Sequence, residues 1–477
     1  MDMDINNPNI NTIETYEKIL ETNPLDKNKY LRELGKLYEE ENRFYKAAGC
    51  YVKMLNNGKL DTSTVGVLTN QIGNCYFNLQ QYKLAIHYYK KVLLIKEIPD
   101  VYNNLGLCYV NVSNYRDAES TYLNSYKLDS TNIKTTTGLG EVYYKTKKYK
   151  KSIEFYEKHF KNDNYSQLYN LSFSYLANKE FKKGFGLYEN RLKVNTTNKQ
   201  TDKKERLEVP LDYWNETTQC NRLLIISEQG FGDNIQYYRF VIELSQKYPN
   251  MKITYFCRQE LSHIFKTYDN IDIIKKLFVF NYDYKLYIMS LPKILNVTNI
   301  LPNKLNYINS NEDKLLFWRQ KTHHLKKLKV GFVYNGLLSS FIEKYIPLKE
   351  FEMLCELDID LICIHKKNEI ENDIKNVSFK DKIHYFDIDK DVPFEDTIHL
   401  IQTLDLLITV DTYIVHLAGI LNIKTWLLLG VSEWRWSDDA SKTYWYDSVE
   451  LIRTNESEKL IDLLKTVKLK LKTDFQL

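Results

Sequence analysis

A six-position signature recurs through the first 190 residues of this chain and restricts the fold more than any other feature. It reads Leu or Ile, then Gly, then Tyr three residues on. An aromatic follows six residues later, then a small residue, then Tyr four further. The copies are Leu34-Gly35-Tyr38-Phe44-Ala47-Tyr51, Ile72-Gly73-Tyr76-Tyr82-Ala85-Tyr89, Leu105-Gly106-Tyr109-Tyr115-Ala118-Tyr122 and Leu139-Gly140-Tyr143-Tyr149-Ser152-Tyr156. A weaker fifth copy is Leu171-Ser172-Tyr175-Phe181-Gly184-Tyr188. The four glycines are 38, 33 and 34 residues apart. A period of this size marks a supersecondary unit that cannot bury its apolar face alone and therefore stacks on its neighbours. Gly and Ala let two antiparallel helices approach closely, and the aromatics fill the gap between one helix pair and the next. The pattern predicts an all-helical solenoid over residues 1–192, with Ile13 to Pro24 as a leading half-repeat.

Taken together these positions resemble the tetratricopeptide repeat. The resemblance implies an array without chemistry of its own, whose concave face binds a peptide or a protein segment. The cluster Lys145, Lys147, Lys148, Lys150 and Lys151 reads as a solvated helix end and turn rather than as a dock for an acidic partner.

The bulk numbers exclude several classes. A formal charge of +4 with 27% charged residues lacks the basic excess of a nucleic-acid binder. Seven scattered cysteines without a C-x-x-C pair fit reduced thiols in the cytoplasm better than a disulfide framework or a zinc site. The polar start Met1-Asp2-Met3-Asp4-Ile5 is not a signal peptide, and no apolar run is long enough to span a bilayer. The 38 tyrosines are read as codon bias.

Beyond a polar linker at 193–219, strand and helix signals alternate, which indicates an α/β sheet. Strands are expected at Arg222–Ser227, Lys252–Cys257 and Tyr284–Ile288, with helices at Ile235–Lys247 and Gln259–Lys266. A second series has strands at Lys329–Tyr334, Asp360–His365, Ile383–Phe386, Leu406–Val410 and Lys424–Leu429. Its helices are expected at Leu348–Glu356, Thr397–Thr403 and Tyr413–Leu421, with a basic amphipathic helix at Glu456–Lys472. Two segments read as buried strand, tight polar turn, helix: Leu223–Ile226 into Gly230-Phe231-Gly232-Asp233-Asn234, and Leu406–Val410 into Asp411-Thr412 and the helix bearing His416. Such turns lie at the carboxyl edge of a parallel sheet, where open α/β folds bind ligands. The second also offers backbone N–H groups at a helix N-terminus, a phosphate-binding arrangement. Their separation suggests two lobes, 220–325 and 326–477, facing one cleft.

Motifs in this region resemble the glycosyltransferases linked to tetratricopeptide repeats, which are similar to the heptosyltransferase family (glycosyltransferase family 9) and more distantly to O-GlcNAc transferase. The residues that carry the likeness begin with Tyr188-Glu189-Asn190-Arg191-Leu192, Leu211-Asp212-Tyr213-Trp214, Glu228 to Phe240 and Ser290-Leu291-Pro292. They continue through Lys329 to Gly336, Tyr345-Ile346-Pro347-Leu348, Asp405 to Thr412, His416-Leu417-Ala418-Gly419 and Glu433-Trp434-Arg435-Trp436. The resemblance implies a GT-B fold of two Rossmann-like lobes, acceptor side first. It also implies inverting transfer from a nucleotide-diphosphate sugar, with no metal and no other cofactor. It assigns Asp233 as general base. Asp411, Thr412 and His416 hold the donor diphosphate, helped by Lys344 as the nearest basic residue before Pro347, and Gly230, Gly232 and Asn234 shape the turn.

The residue types suit that chemistry. An acceptor hydroxyl needs a base within hydrogen-bond reach, and the departing diphosphate needs positive charge. Structural alternatives stand beside each assignment: Asp233 or Asp411 as helix N-caps, His416 as a core histidine bonded to backbone, Trp434 and Trp436 as packing. The loop Leu337 to Pro347 also departs from the family, because its polar signature is missing and Lys344 stands where relatives have Arg, a point charge in place of a planar fork. The rival reading is therefore a protein-interaction scaffold carrying a catalytically inactive transferase-like domain.

Overall fold

The computed structural model describes residues 8–22, 25–58, 60–160, 164–194, 209–277, 281–336, 345–430, 433–437, 441–454 and 459–477. The chain divides into two compact units, Met1–Ser174 and Tyr175–Leu477.

The first unit is a helical solenoid of antiparallel pairs. Its helices are α1 (Pro8–Glu21), α2 (Lys27–Glu40), α3 (Phe44–Asn56), α4 (Thr62–Asn78), α5 (Tyr82–Ile95), α6 (Pro99–Asn111), α7 (Tyr115–Leu128), α8 (Ile133–Lys145), α9 (Tyr149–His159) and the start of α10 (Tyr165–Ala177). The signature glycines serve close packing. A Cβ on Gly35, Gly73 or Gly106 would stand 2.7–2.8 Å from the ring of Tyr51, Tyr89 or Tyr122, the last Tyr of the same copy. Those tyrosines are buried, and Tyr89 reaches across to donate from its hydroxyl to Asn74 at 2.8 Å.

A second repeated device joins the two helices of each pair. Asn42, Gln80, Ser113 and Lys147, each seven residues after the signature Gly, all take φ near +57°. The next N–H returns to the carbonyl of the signature Tyr: Arg43 to Tyr38, Gln81 to Tyr76, Asn114 to Tyr109 and Lys148 to Tyr143, at 2.7–2.9 Å. This left-handed cap closes the last helical turn and usually selects Gly. Four different non-glycine residues occupy it here, so composition hides it from a sequence reading.

The second unit opens with α11 (Phe181–Tyr188) and a 3-10 turn at Glu189–Leu192. A first sheet follows, built from β1 (Arg222–Ile226), β2 (Lys252–Phe256), β3 (Ile271–Ile274) and β4 (Tyr284–Tyr287), all parallel in the order β3-β2-β1-β4. Helix α12 (Phe231–Lys247) connects β1 to β2. After α13 (Leu291–Ile294) and α14 (Glu312–Lys321) comes a second parallel sheet. Its strands are β5 (Leu328–Val333), β6 (Ile359–Cys363), β7 (Ile383–Tyr385), β8 (Leu406–Val410), β9 (Thr425–Leu429) and β10 (Val449–Arg453), in the order β10-β9-β8-β5-β6-β7. Its connecting helices include α15 (Lys367–Lys375), α16 (Glu395–Ile401) and α17 (Tyr413–Ile420), and α18 (Leu463–Phe475) ends the chain.

Both orders reverse beside the first strand of the sheet, between β1 and β4 and between β5 and β8. At such a switch point the two neighbouring connections leave for opposite faces and open a crevice at the carboxyl edge. The second sheet is covered on both faces. Leu406, Ile408 and Val410 of β8 pack with Leu463, Leu464, Val467 and Leu471 of α18, whereas Leu407 packs with Leu400, Ile414 and Ala418. Burial on both faces explains the unbroken apolar run of β8.

Several expected elements differ. Gln259–Lys266 forms turns, not a helix, and Leu348–Glu356 is 3-10. β3, β10, α14 and α15 were not anticipated from the sequence. α12 begins at Phe231 rather than Ile235; the C-terminal helix spans Leu463–Phe475, and its expected start at Glu456 lies outside the described residues.

Candidate functional site

The turn after β1 is fixed by short-range bonds. Gln229 takes φ 61°. Gly230 occupies the N-cap of α12, and its N–H donates to the Asp233 carboxylate at 3.1 Å. The N-cap is thus Gly230; Asp233 sits three residues inside and closes one half of a capping box. Asn234 is buried and structural. Its amide donates to the carbonyls of Glu228 and Gly230 at 2.9 and 2.8 Å and its oxygen accepts from Tyr255 at 2.7 Å.

The turn after β8 is capped by Thr412, whose hydroxyl oxygen accepts from the Ile414 N–H at 3.3 Å. That removes Asp411 from the capping role. Asp411 lies half-buried immediately before it. His416, one turn into α17, is buried; Nδ1 stands 3.1 Å from the Tyr446 hydroxyl, and the ring stacks on Trp436 at 5.3 Å and 18°. Trp434 and Trp436 are buried packing residues.

The two turns meet. A Cβ on Gly232 would lie 3.0 Å from His416 Cδ2 and 3.4 Å from Tyr413 Cα. Glycine here permits the close approach of α12 to α17. Beside this contact Phe231 packs edge-on against Phe394 and Tyr413, with centroids at 5.2 and 6.3 Å. Arg258 lies 5.2 Å over the Phe231 ring and donates to the Gln229 carbonyl at 2.7 Å. Gly230, Gly232, Asp233, Asn234, Thr412 and His416 therefore belong to one neighbourhood. Lys344 lies outside the described residues.

Two arginines to which the sequence motifs assign no role organise this neighbourhood. Arg191 donates to Glu228 at 2.6 and 3.3 Å and to the Ser290 hydroxyl at 2.8 Å, and it also pairs with Glu189. The Arg191 and Glu228 side chains are each 1% exposed. The Glu228 carboxylate also accepts from the Met289 N–H at 3.2 Å, so the pair fills the crevice between the ends of β1 and β4. Arg435 donates from Nη2 to Asp233 at 2.7 Å and pairs with Glu433. Burial alone would ease its proton off, but the Glu433 and Asp233 carboxylates hold its pKa well above the usual value. The signal available in the sequence was an arginine flanked by two tryptophans.

At the end of β5, His365 accepts from the Tyr334 N–H at 3.3 Å through Nε2, and the Tyr334 hydroxyl donates to Asp373 at 2.7 Å. Burial lowers the His365 pKa to about 4, against the opposing pull of Asp373. The neutral ring this implies is the form that can accept the Tyr334 bond.

Among the described residues no group of three or more His, Cys, Asp or Glu side chains is arranged to hold a metal ion, and no helix is long and apolar enough to cross a membrane. A furrow lined by Arg116, Glu119, Leu123 and Lys127 belongs to α7 alone and gathers no convergent groups.

The comparisons with known proteins concern the solenoid. The tetratricopeptide repeat model matches residues 70–98 and 137–164. The N-terminal array is built of tetratricopeptide repeats. Among solved structures, the chain is similar to YrrB, described as a TPR protein with an unusual peptide-binding site (17% identity, 39% of this chain and 95% of that one, TM-score 0.32). It is also similar to BtubC from P. vanneervenii (16%, 42% and 95%, 0.32) and to a tetratricopeptide repeat protein from Parabacteroides merdae (14%, 50% and 80%, 0.35). No curated protein matches the chain.

Proposed function

We propose that the α/β unit is a glycosyltransferase of GT-B type. It binds a nucleotide-diphosphate sugar in the cleft between lobes 220–325 and 326–477, and the repeat array recruits the protein or peptide that accepts the sugar. One observation carries this reading: the carboxyl-edge turns of two separate parallel sheets meet, Gly232 against His416. In this reading the donor lies at the second sheet's switch point, beside Thr412, and the acceptor approaches from the side of the Gly230–Asn234 turn, since the crevice between β1 and β4 is filled by Arg191 and Glu228. The Thr412-capped start of α17 would supply N–H groups for a diphosphate, and Lys344 is the cation the sequence offers.

A second reading has its own observation. Both Asp233 oxygens are engaged, one by Arg435 and one by the Gly230 N–H. Neither oxygen is free to meet an acceptor hydroxyl until one of these bonds breaks, which fits a scaffold whose transferase-like domain is inactive.

The test is a thermal-shift panel of nucleosides, nucleoside diphosphates and nucleotide sugars on the full chain. A ligand that binds only the folded state raises the melting temperature by mass action. The expected result is a shift with one nucleoside diphosphate and its sugar. Lys344→Ala should weaken that binding by about 1–3 kcal/mol, the range of a charge-assisted hydrogen bond, and leave the bare nucleoside unaffected. No shift with any diphosphate would favour the scaffold.

A further inference from the structure

We infer that the Asp233–Arg435 ion pair is a latch between the two sheets of the α/β unit, which holds Phe231 against the start of α17, beside the Thr412 turn, until the pair is broken. What the latch guards depends on the donor-site reading above; the latch itself stands on geometry. Asp233 leaves the first sheet at the start of α12, Arg435 follows β9 of the second, and 202 residues separate them along the chain. Their contact is 2.7 Å, so the bond ties one half of the unit to the other.

The pair differs from Arg191–Glu228 in one decisive respect. Arg191 and Glu228 are enclosed, at 1% exposure each, and cannot be reached without unfolding their surroundings. The Arg435 and Asp233 side chains keep 17% and 20% exposure. Arg435 also has a buried Nε that finds no partner among the described residues. Water and salt reach a partly exposed pair and weaken it, so it is breakable in a way that a sealed pair is not.

The same crossing reaches the start of α17. Phe231, two residues before Asp233, lies against Tyr413, the first residue of α17, and against Phe394. Phe394 and Tyr413 touch edge-on at 5.1 Å. Phe394 takes φ 65°, a conformation a bulky side chain keeps only where its surroundings hold it. Separating Asp233 from Arg435 would let Phe231 withdraw from this pair, beside the Thr412 turn.

The experiment is hydrogen–deuterium exchange of the full chain, read at the peptides covering 231–238 and 413–420, for wild type, Arg435→Gln, Asp233→Asn and the double variant. Asp233→Asn keeps an acceptor for the Gly230 N–H, so it separates the latch from the local cap. Without ligand, each single variant should raise exchange at both peptides by about tenfold or more, equivalent to about 1.4 kcal/mol. The double variant should add little, as expected for two partners of one interaction. Peptides covering β1 and β8 should not change, which excludes general unfolding. Nucleoside diphosphates (ADP, GDP, UDP) are then added to wild type and Arg435→Gln. Tighter binding to Arg435→Gln supports both the latch and the donor site, because removing the closed state removes its tax on affinity. Raised exchange without nucleotide binding keeps the latch and removes the donor reading. Unchanged exchange in both single variants overturns the latch, whatever the nucleotides do.

Discussion

The repeat array and the α/β unit solve the problem of buried polarity in different ways. In the array the inward polar groups are neutral and bond to near neighbours: Ser125 with Thr135, Thr135 with Asn103, Ser152 with Ser174. Each such bond joins one repeat to itself or to the next, as a quasi-one-dimensional stack requires. The α/β unit buries neutral groups as well, but it adds charged ones that link distant segments. Arg191 reaches Glu228 and Ser290 across 37 and 99 residues, and Arg435 reaches Asp233 across 202. Neutral bonds are replaceable one at a time. An enclosed ion pair is not, because removing one partner strands the other charge in a low-dielectric site.

The sharpest way to break this comparison is Arg191→Ala. With both side chains sealed, its loss should cost the α/β unit about 3–5 kcal/mol. In urea unfolding followed by domain-specific probes, the α/β transition should move to lower denaturant while the transition of the array stays in place. A shift of both transitions by the same amount would show that the units do not unfold separately and would collapse the distinction.

A smaller effect should appear with pH in the α/β unit. His365 titrates at about 4 when folded, against an ordinary value near 6.5. Between those values the unfolded chain binds the extra proton, so stability rises with pH across the window. The contribution is complete above about pH 6.5 and is lost as pH falls towards 4, amounting to about 3 kcal/mol. Protonation would also abolish the bond from the Tyr334 N–H. His365→Gln should flatten this part of the pH–stability curve; an unchanged slope would show that the acid sensitivity arises elsewhere.

The two regions also differ in how far their sequences reveal them. The array is legible because its code is local: Gly73 and Tyr89 are sixteen residues apart and meet in a neighbouring helix. Even there, the left-handed cap at Asn42, Gln80, Ser113 and Lys147 is invisible, since it is a backbone property carried by four different side chains. In the α/β unit the long apolar strands β1 and β8 were readable. β3 was not, although it is as long as β4 and longer than β7, both of which were expected; four residues show too little of a period to decide either way. The turns with Gly230, Gly232, Asp233 and Thr412 were readable as turns. That Gly232 would touch His416, or that Asp233 would be bound by Arg435, depends on contacts across some 200 residues, which no local pattern encodes.

The proposal that most needs testing is that Asp233, once released from Arg435, would serve as the base of a sugar transfer. The most direct measurement is release of nucleoside diphosphate from the nucleotide sugar selected by the binding panel, with a peptide library as acceptor, for wild type and Asp233→Asn. The account predicts turnover by wild type and a loss of about 10²–10⁴-fold in Asp233→Asn with donor affinity nearly intact, because Asn keeps the shape and the capping bond but cannot take a proton. Equal turnover by the two proteins, or none by wild type with any donor, would contradict it.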